Sequence, residues 1–144
     1  MQTVSSSWPP KWLTPVPAEA IERGRVMEPV ADFVEGFGRI TKDSVAGRAG
    51  GPLVLRDWQK DLLEHLFAWD EDGLRHRISL VGMPRKNGKS ALGAVLGLYS
   101  LILGPKGAEV YSVAAEKEQA RIVFADARRT VEASPELTAI TKLY

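Results

Sequence analysis

The sequence predicts an α/β domain in which parallel strands alternate with crossover helices. Two observations indicate this class. Short apolar runs of strand length alternate with longer segments of helical spacing, and a polar loop joins the first run to the helix after it. This alternation is typical of parallel sheets, because parallel neighbours need a long crossover connection that is usually a helix.

Residues 1–54 are predicted as a helical and extended lead-in segment. Prolines and serines concentrate near its start, where Trp8 and Trp12 are expected to dock onto the domain surface or to contact a partner. Residues 18–38 predict one or two short helices that break before Pro29, because proline disfavours the helical conformation of the residue before it.

Residues 55–144 are predicted to hold the α/β domain. Its first helix is expected to be capped by Asp57 and to end before the acidic turn at 70–73. Gly104-Pro105 and Ser134-Pro135 supply stops for two later helices. The remaining elements are a strand at 77–81, a helix at 89–103, a strand at 109–113 and a helix at 116–133.

Composition excludes several classes of function. The 144 residues carry 19 basic and 18 acidic side chains, so the chain is no polybasic domain, although a local basic patch is not excluded. The absence of cysteine excludes disulfides, Cys-based zinc sites and cysteine nucleophiles, and two histidines cannot build a histidine-rich metal site. No apolar run approaches the roughly 18 residues of a membrane span, and no signal peptide is visible, so a cytoplasmic location without membrane contact is expected.

The segment from Gly82 to Ser90, Gly-Met-Pro-Arg-Lys-Asn-Gly-Lys-Ser, predicts a nucleotide phosphate site that uses ATP and Mg²⁺. We call residues 82–90 the phosphate loop. Gly88 lets backbone amides approach phosphate oxygens, and the helix that follows offers unpaired N–H groups. Lys89 supplies a point charge for the β and γ phosphates, and the Ser90 hydroxyl supplies an oxygen ligand for Mg²⁺.

The phosphate loop departs from the standard pattern at one position. Met83 stands where G-x-x-x-x-G-K-[ST] requires glycine, and Gly82 comes one residue too early. Arg85 and Lys86 add two further cations, and such a cluster favours polyphosphate because the like charges otherwise repel each other. The alternative is a solvated basic turn with Arg85 in a surface ion pair.

Three segments together resemble the large terminase subunits of tailed bacteriophages, which are ATP-driven DNA-packaging motors. Residues 55–59, Leu-Arg-Asp-Trp-Gln, are similar to the adenine-recognition motif of that family. Residues 84–90 are similar to its deviant Walker A, in which the first glycine is commonly missing and an arginine comes early. Residues 111–115, with Gln119 and Ala120, resemble the strand and helix that follow.

This resemblance implies a P-loop NTPase-type parallel sheet and a role for each matching residue. Gln59 would hydrogen-bond the adenine edge, and Trp58 would either form a wall for the base or belong to the core. Arg85 would stabilise charge on the γ-phosphate. Pro84, Lys86 and Asn87 would complete the nucleotide contacts. The implied partners are double-stranded DNA, the small terminase subunit and the portal.

The sequence predicts an incomplete motor. A Walker B aspartate and a following glutamate are expected beyond the phosphate loop in such motors, but no convincing pair follows Lys89. Residues 122–126 resemble a Walker B strand superficially, yet their neighbours have helical spacing. We therefore expect an ATP-binding portion that is inactive without the rest of the large subunit or a complementing chain.

Two alternatives stay open at this point. One is a fragment of a helicase-like P-loop ATPase, and the other is a non-catalytic binding module with a remnant phosphate loop. Arg121, Arg128 and Arg129 could reach DNA phosphates, although a solvated helix face that also carries Glu118, Asp126 and Glu132 explains them as well.

Overall fold

The computed structural model describes residues 10–44 and 47–144. Within these ranges the chain forms six helices and two very short strands. The helices are α1 (Ala18–Met27), α2 (Val30–Phe37), α3 (Asp57–Leu66), α4 (Lys89–Leu103), α5 (Lys117–Glu132) and α6 (Pro135–Ile140). The strands are β1 (Trp69–Asp70) and β2 (Gly73–Leu74). This mixture of helices and one small sheet is consistent with an incomplete α/β domain.

The predicted helices are confirmed, with one correction at a terminus. The break between α1 and α2 comes at Pro29, α4 has the predicted bounds, and α5 lies within the predicted 116–133. Asp57 was expected to be the cap of α3, but it is the first helical residue, and Arg56 in extended conformation is the N-cap. The prediction was wrong by one position because the Asp57 side chain is not the group that satisfies the helix start.

Three elements were not predicted, namely β1, β2 and α6. The acidic turn at 70–73 closes an antiparallel hairpin in which Trp69 pairs with Leu74 and Asp70 with Gly73. Ser134 and Pro135 end α5 as expected, but they also begin α6, because the Ser134 hydroxyl accepts a hydrogen bond from the Leu137 N–H and proline is compatible with the first turn of a helix.

The chain divides into two compact units. The first contains the described residues up to Ala31 together with Leu55–Val81, and the second contains Asp32–Val54 together with Gly82–Tyr144. The predicted division into residues 1–54 and 55–144 stays a prediction. Trp8 lies outside the described residues, whereas Trp12 is 83% exposed with the Lys11 ammonium 5.5 Å from its ring centroid, so Trp12 does not dock onto a domain surface.

In the first unit, α1 packs against α3 and β1. Gly24 is buried at this contact, where a Cβ atom would come within 2.4 Å of the Phe67 carbonyl oxygen. The Arg25 guanidinium donates two hydrogen bonds, of 2.9 and 2.8 Å, to the two carboxylate oxygens of Glu64. The side chain of Arg23 donates to the Trp69 carbonyl oxygen at 3.1 Å. These contacts tie α1 to both of its neighbours.

In the second unit, α4 packs against α5, and α5 packs against α6. The Phe33 ring meets Tyr99 of α4 edge-on at a centroid distance of 5.4 Å and tilts against Phe37 at 5.0 Å. The buried apolar side chains that share this core include Val34, Leu92, Val95, Leu98, Val131 and Leu137. The packing fixes α4, which follows directly on the phosphate loop.

The two predicted parallel strands are not formed. No strand forms at residues 77–81 or 109–113, and the sheet in the described part of the chain is the antiparallel β1–β2 hairpin. Ile78 is 92% exposed and Leu80 is fully exposed, whereas strands of a parallel sheet are normally buried on both faces. The apolar runs have strand composition but lack neighbouring strands among the described residues, and strand formation depends on such neighbours.

The segment that superficially resembles a Walker B strand is helical, as expected. Residues 122–126 lie in the middle of α5, and Asp126 is buried there beside Arg129. Across residues 10–44 and 47–144, no helix combines the length and the apolar character that crossing a bilayer requires.

Candidate functional site

The phosphate loop is an exposed turn that ends at the first turn of α4. Residues 84–89 are exposed, and Gly88 is the N-cap of α4 with φ of 74° and ψ of 13°. The Gly88 carbonyl accepts the Leu92 N–H at 2.9 Å, which is the first hydrogen bond of the helix. The left-handed conformation at Gly88 explains why glycine is favoured there, because a Cβ atom destabilises this region of φ and ψ.

A second left-handed residue lies two positions earlier. Lys86 has a φ of 68° and is the one non-glycine residue with positive φ in the described ranges. The Asn87 side-chain amide donates to the Pro84 carbonyl oxygen at 3.4 Å across the same turn. Turns that contain left-handed residues can direct successive backbone N–H groups into one concavity, which is a geometry suited to anions.

Three cations of the phosphate loop have no acidic partner in the part of the chain that the structure describes. Among the described residues, no carboxylate forms an ion pair with Arg85, Lys86 or Lys89. The first turn of α4 contains no acidic residue. The Lys89 ammonium lies 3.5 Å from the Met83 carbonyl oxygen within the loop. The positive end of the α4 dipole adds to this field, so the arrangement suits a polyanion.

Three other residues of the phosphate loop were singled out from the sequence. Ser90 is partly buried and is the second residue of α4. Met83 is partly exposed, and around Gly82 a Cβ atom would meet nothing within 4 Å. Neither a positive φ nor a close contact with the backbone therefore explains why glycine stands at position 82 and methionine at position 83.

Gln59 and Trp58 lie in the first turn of α3, in the first unit. The Gln59 side-chain carbonyl accepts a hydrogen bond of 2.9 Å from the Arg56 backbone N–H, so it caps the start of the helix. Sequence reasoning missed this role, although a glutamine three residues after an N-cap is a recognised capping signal. Trp58 is partly exposed, and its two expected roles stay predictions.

The arginines of α5 are all paired with acids on the same helix. Arg121 donates to Glu118 at 3.0 Å, and Arg128 donates to Glu132 at 2.8 Å. Arg129 lies 3.2 Å from the buried carboxylate of Asp126. Such pairs between residues three or four positions apart are typical of a solvent-exposed helix face.

The described residues contain no group of three or more histidine, aspartate or glutamate side chains that could hold a metal ion. In a comparison with protein families, the family model described as terminase large subunit, ATPase domain, matches residues 57–142. The matched range includes α3, the phosphate loop, α4 and α5. No curated protein and no solved structure matches the chain.

Proposed function

Since the chain belongs to the family of terminase large subunit ATPase domains, we propose that its phosphate loop binds the phosphates of ATP. The observation that carries the proposal is the exposed, left-handed turn before α4, whose three cations lack acidic partners among the described residues. A polyphosphate is the ligand that neutralises such a cluster and accepts hydrogen bonds from the free N–H groups of a helix start.

Residues 84–89 of the phosphate loop each have a proposed role. Lys89 contacts the β and γ phosphates, and Arg85 stabilises the charge that develops on the γ-phosphate. Pro84, Lys86 and Asn87 shape the turn around the phosphates. Gly88 allows the close approach of the backbone, and its φ of 74° supports this role.

Mg²⁺ is proposed to bind at the Ser90 hydroxyl together with phosphate oxygens. A hydroxyl oxygen at the second position of α4 is a hard donor of the type that Mg²⁺ prefers, and this ion takes few protein ligands when it binds a nucleotide. An ion held at Ser90 would neutralise part of the phosphate charge.

Hydrolysis is proposed to require polypeptide in addition to the described residues. Asp126 is not available to activate water, because it is 5% exposed, lies in the middle of α5 and is paired with Arg129. We infer that a Walker B strand comes from the rest of the large subunit or from a complementing chain, and that the whole protein hydrolyses ATP to drive DNA packaging. Binding without turnover is the expected behaviour of residues 1–144 alone.

The same polypeptide is proposed to complete a parallel sheet. In the second unit, residues 109–113 lie along α4 and α5: a Cβ atom on Gly97 would be 3.5 Å from Val110, and the Ser112 hydroxyl donates to the Ala120 carbonyl oxygen at 3.0 Å. The neighbouring Tyr111 and Val113 are 76% and 89% exposed. A segment held on helices at one side and exposed at the other supports a strand that lacks its partners.

Membership of the family also supports proposals about partners and place. Double-stranded DNA, the small terminase subunit and the portal are the proposed partners of the whole large subunit, and the host cytoplasm is its proposed location. Arg121, Arg128 and Arg129 are weak candidates for DNA contacts because each is already paired within α5.

Nucleotide titration of the Lys89→Ala variant tests the phosphate site. The substitution removes a charge-assisted contact worth about 1.5–3 kcal/mol, so affinity for a fluorescent ATP analogue should fall roughly 10- to 150-fold. Lys106→Ala, which removes an exposed lysine outside the phosphate loop, is the matched control and should bind like the wild type. Equal affinity of the Lys89→Ala variant and the control would refute the assignment.

A further inference from the structure

The first unit carries an open apolar groove between α1 and β1. Val26 and Met27 of α1 are 80% and 53% exposed, and Trp69 of β1 lines the same groove. Its volume is about 480 Å³, which is in the range of sites that hold a ligand or a bulky side chain. Exposed apolar side chains that lie together in a concave surface are typical of an interaction site.

The charged residues that line the groove are mostly acidic. They are Glu22, Arg23, Asp70 and Glu71. Glu22 forms an ion pair with Arg25, and Asp70 forms one with Arg75 at 2.7 Å. Among the described residues, no cation forms an ion pair with Glu71, which is exposed. The Glu71 carboxylate is therefore available to a positive charge that arrives with an apolar side chain.

A segment of complementary chemistry precedes α1, and we call its residues 10–17 the N-terminal arm. Lys11 and Trp12 of this arm are exposed, with the Lys11 ammonium 5.5 Å from the Trp12 ring centroid. No carboxylate of the described residues forms an ion pair with Lys11. Pro15 and Pro17 restrict φ, so the arm loses less conformational freedom on docking than an ordinary segment does.

The arm and the groove are both exposed in one chain, so the arm does not fill the groove of its own chain. We propose that the N-terminal arm of one copy docks into the groove of a second copy, with Trp12 on the apolar floor and Lys11 beside Glu71. Exchange in both directions forms a closed two-fold dimer, in which each copy contributes one arm and one groove. Trp12 supplies the affinity as a buried aromatic anchor, and the ion pair fixes the orientation.

Charge reversal tests the contact between Lys11 and Glu71. Lys11→Glu and Glu71→Lys each place like charges opposite each other in both halves of the dimer. Each variant alone should therefore raise the dissociation constant of the dimer about tenfold. Sedimentation velocity of residues 1–144 over a series of concentrations measures this constant. Both positions are exposed and free of ion pairs among the described residues, so the substitutions leave the fold intact.

An equimolar mixture of the two charge variants distinguishes exchange between copies from docking within one chain. In the mixed dimer, the arm of Lys11→Glu meets the groove of Glu71→Lys, and the unchanged arm of the second variant meets the unchanged groove of the first. Opposite charges then face each other in both contacts, so the mixture should dimerise like the wild type. Docking within one chain gains nothing from mixing. A mixture that dimerises no better than the separate variants would overturn the inference.

Trp12→Ala tests the apolar anchor. Loss of a buried aromatic side chain from each half of the dimer should raise the dissociation constant by at least about tenfold. Val54→Ala is the matched control, because it removes an exposed apolar side chain outside the groove and should dimerise like the wild type. A Trp12→Ala variant that dimerises like this control would overturn the inference, and so would a wild-type chain that stays monomeric as its concentration is raised.

Discussion

Lys86 combines a strained backbone with an exposed charge in the phosphate loop. Its φ of 68° is a conformation that costs a residue with a Cβ atom about 1–2 kcal/mol, and glycine avoids most of this cost. We therefore expect Lys86→Gly to be more stable than Lys86→Ala by about 1 kcal/mol, because both variants lose the charge and only the first relieves the strain.

Urea denaturation of the two Lys86 variants measures this difference directly, and nucleotide titration of both separates backbone from charge. If the Lys86 side chain contacts phosphate, both variants lose affinity to the same extent. If the backbone conformation alone matters, Lys86→Gly keeps the affinity of the wild type. A Lys86→Gly variant that is less stable than Lys86→Ala would contradict the left-handed conformation.

Glu136 should make stability depend on pH at the acid end. Its own backbone N–H and the Ser134 hydroxyl donate hydrogen bonds to its carboxylate and hold its pKa below the ordinary value of 4.5. A group whose pKa is lower in the folded state stabilises the fold above its unfolded pKa, and this contribution is lost as pH falls through the folded value.

The expected result is a higher melting temperature for the wild type than for Glu136→Gln at pH 7, with a gap that closes as the pH falls below 4.5. Melting curves recorded between pH 7 and pH 3 check it. A gap of constant size over this range would mean that the carboxylate does not form these hydrogen bonds.

Single residues also show which features of the phosphate loop and of α3 could be predicted from the sequence and which could not. Lys89 and Ser90 could be identified as candidates because the motif fixes their chemistry and their place before a helix. The left-handed conformation of Lys86 could not, because closure of the turn imposes it on a residue type that normally avoids it. The cap formed by Gln59 could have been predicted from its position three residues after Arg56. The resemblance of residues 55–59 to an adenine-recognition motif indicated only what the Gln59 side chain could bind.

At the scale of elements, the long helices were predictable because their signals are local. Apolar spacing and flanking stops set the bounds of α4 and α5 within a residue. The short elements were not predictable in the same way. Pro135 reads equally well as the end of one helix and as the first residue of the next, and a hairpin with two residues in each strand has no periodicity to detect.

The contact between α1 and α3 depends on Gly24, which has no side chain. In Gly24→Ala, the new Cβ atom would lie 2.4 Å from the Phe67 carbonyl oxygen and 3.0 Å from the Ala68 Cα atom, and both belong to the backbone. The helices would have to move apart, so we expect a loss of about 1–3 kcal/mol in the free energy of unfolding.

Gly93→Ala is the control for this substitution, because it lies inside α4 with nothing within 4 Å of an added Cβ atom. It should raise stability by about 0.5–1 kcal/mol through the better helix propensity of alanine. Denaturant unfolding of both variants gives the comparison, and a Gly24→Ala variant as stable as Gly93→Ala would rule out close packing at this point.

At the scale of the whole molecule, the sequence specifies strands that the described residues do not form. The runs at 77–81 and 109–113 have the composition of buried strands, but strand pairing is a non-local interaction that needs partners. The helices could be predicted because each carries its own hydrogen bonds. The parallel sheet could not be established from these runs, since its stability resides in the neighbours that pair with them.

Polar substitution of Leu80 measures what the exposure of residues 77–81 contributes to stability. Leu80 is fully exposed in residues 77–81, so Leu80→Ser should change the free energy of unfolding by no more than about 0.5 kcal/mol. Leu63→Ala, at a side chain that is 2% exposed in α3, is the buried reference and should cost about 2–5 kcal/mol. Urea denaturation of residues 1–144 measures both.

In a longer polypeptide that supplies the proposed neighbouring strands, Leu80 would be buried, and Leu80→Ser should become destabilising because an apolar contact is replaced by a buried hydroxyl. A small effect of Leu80→Ser in both settings would contradict the proposed parallel sheet, whereas a large effect in residues 1–144 alone would mean that the chain already buries this run.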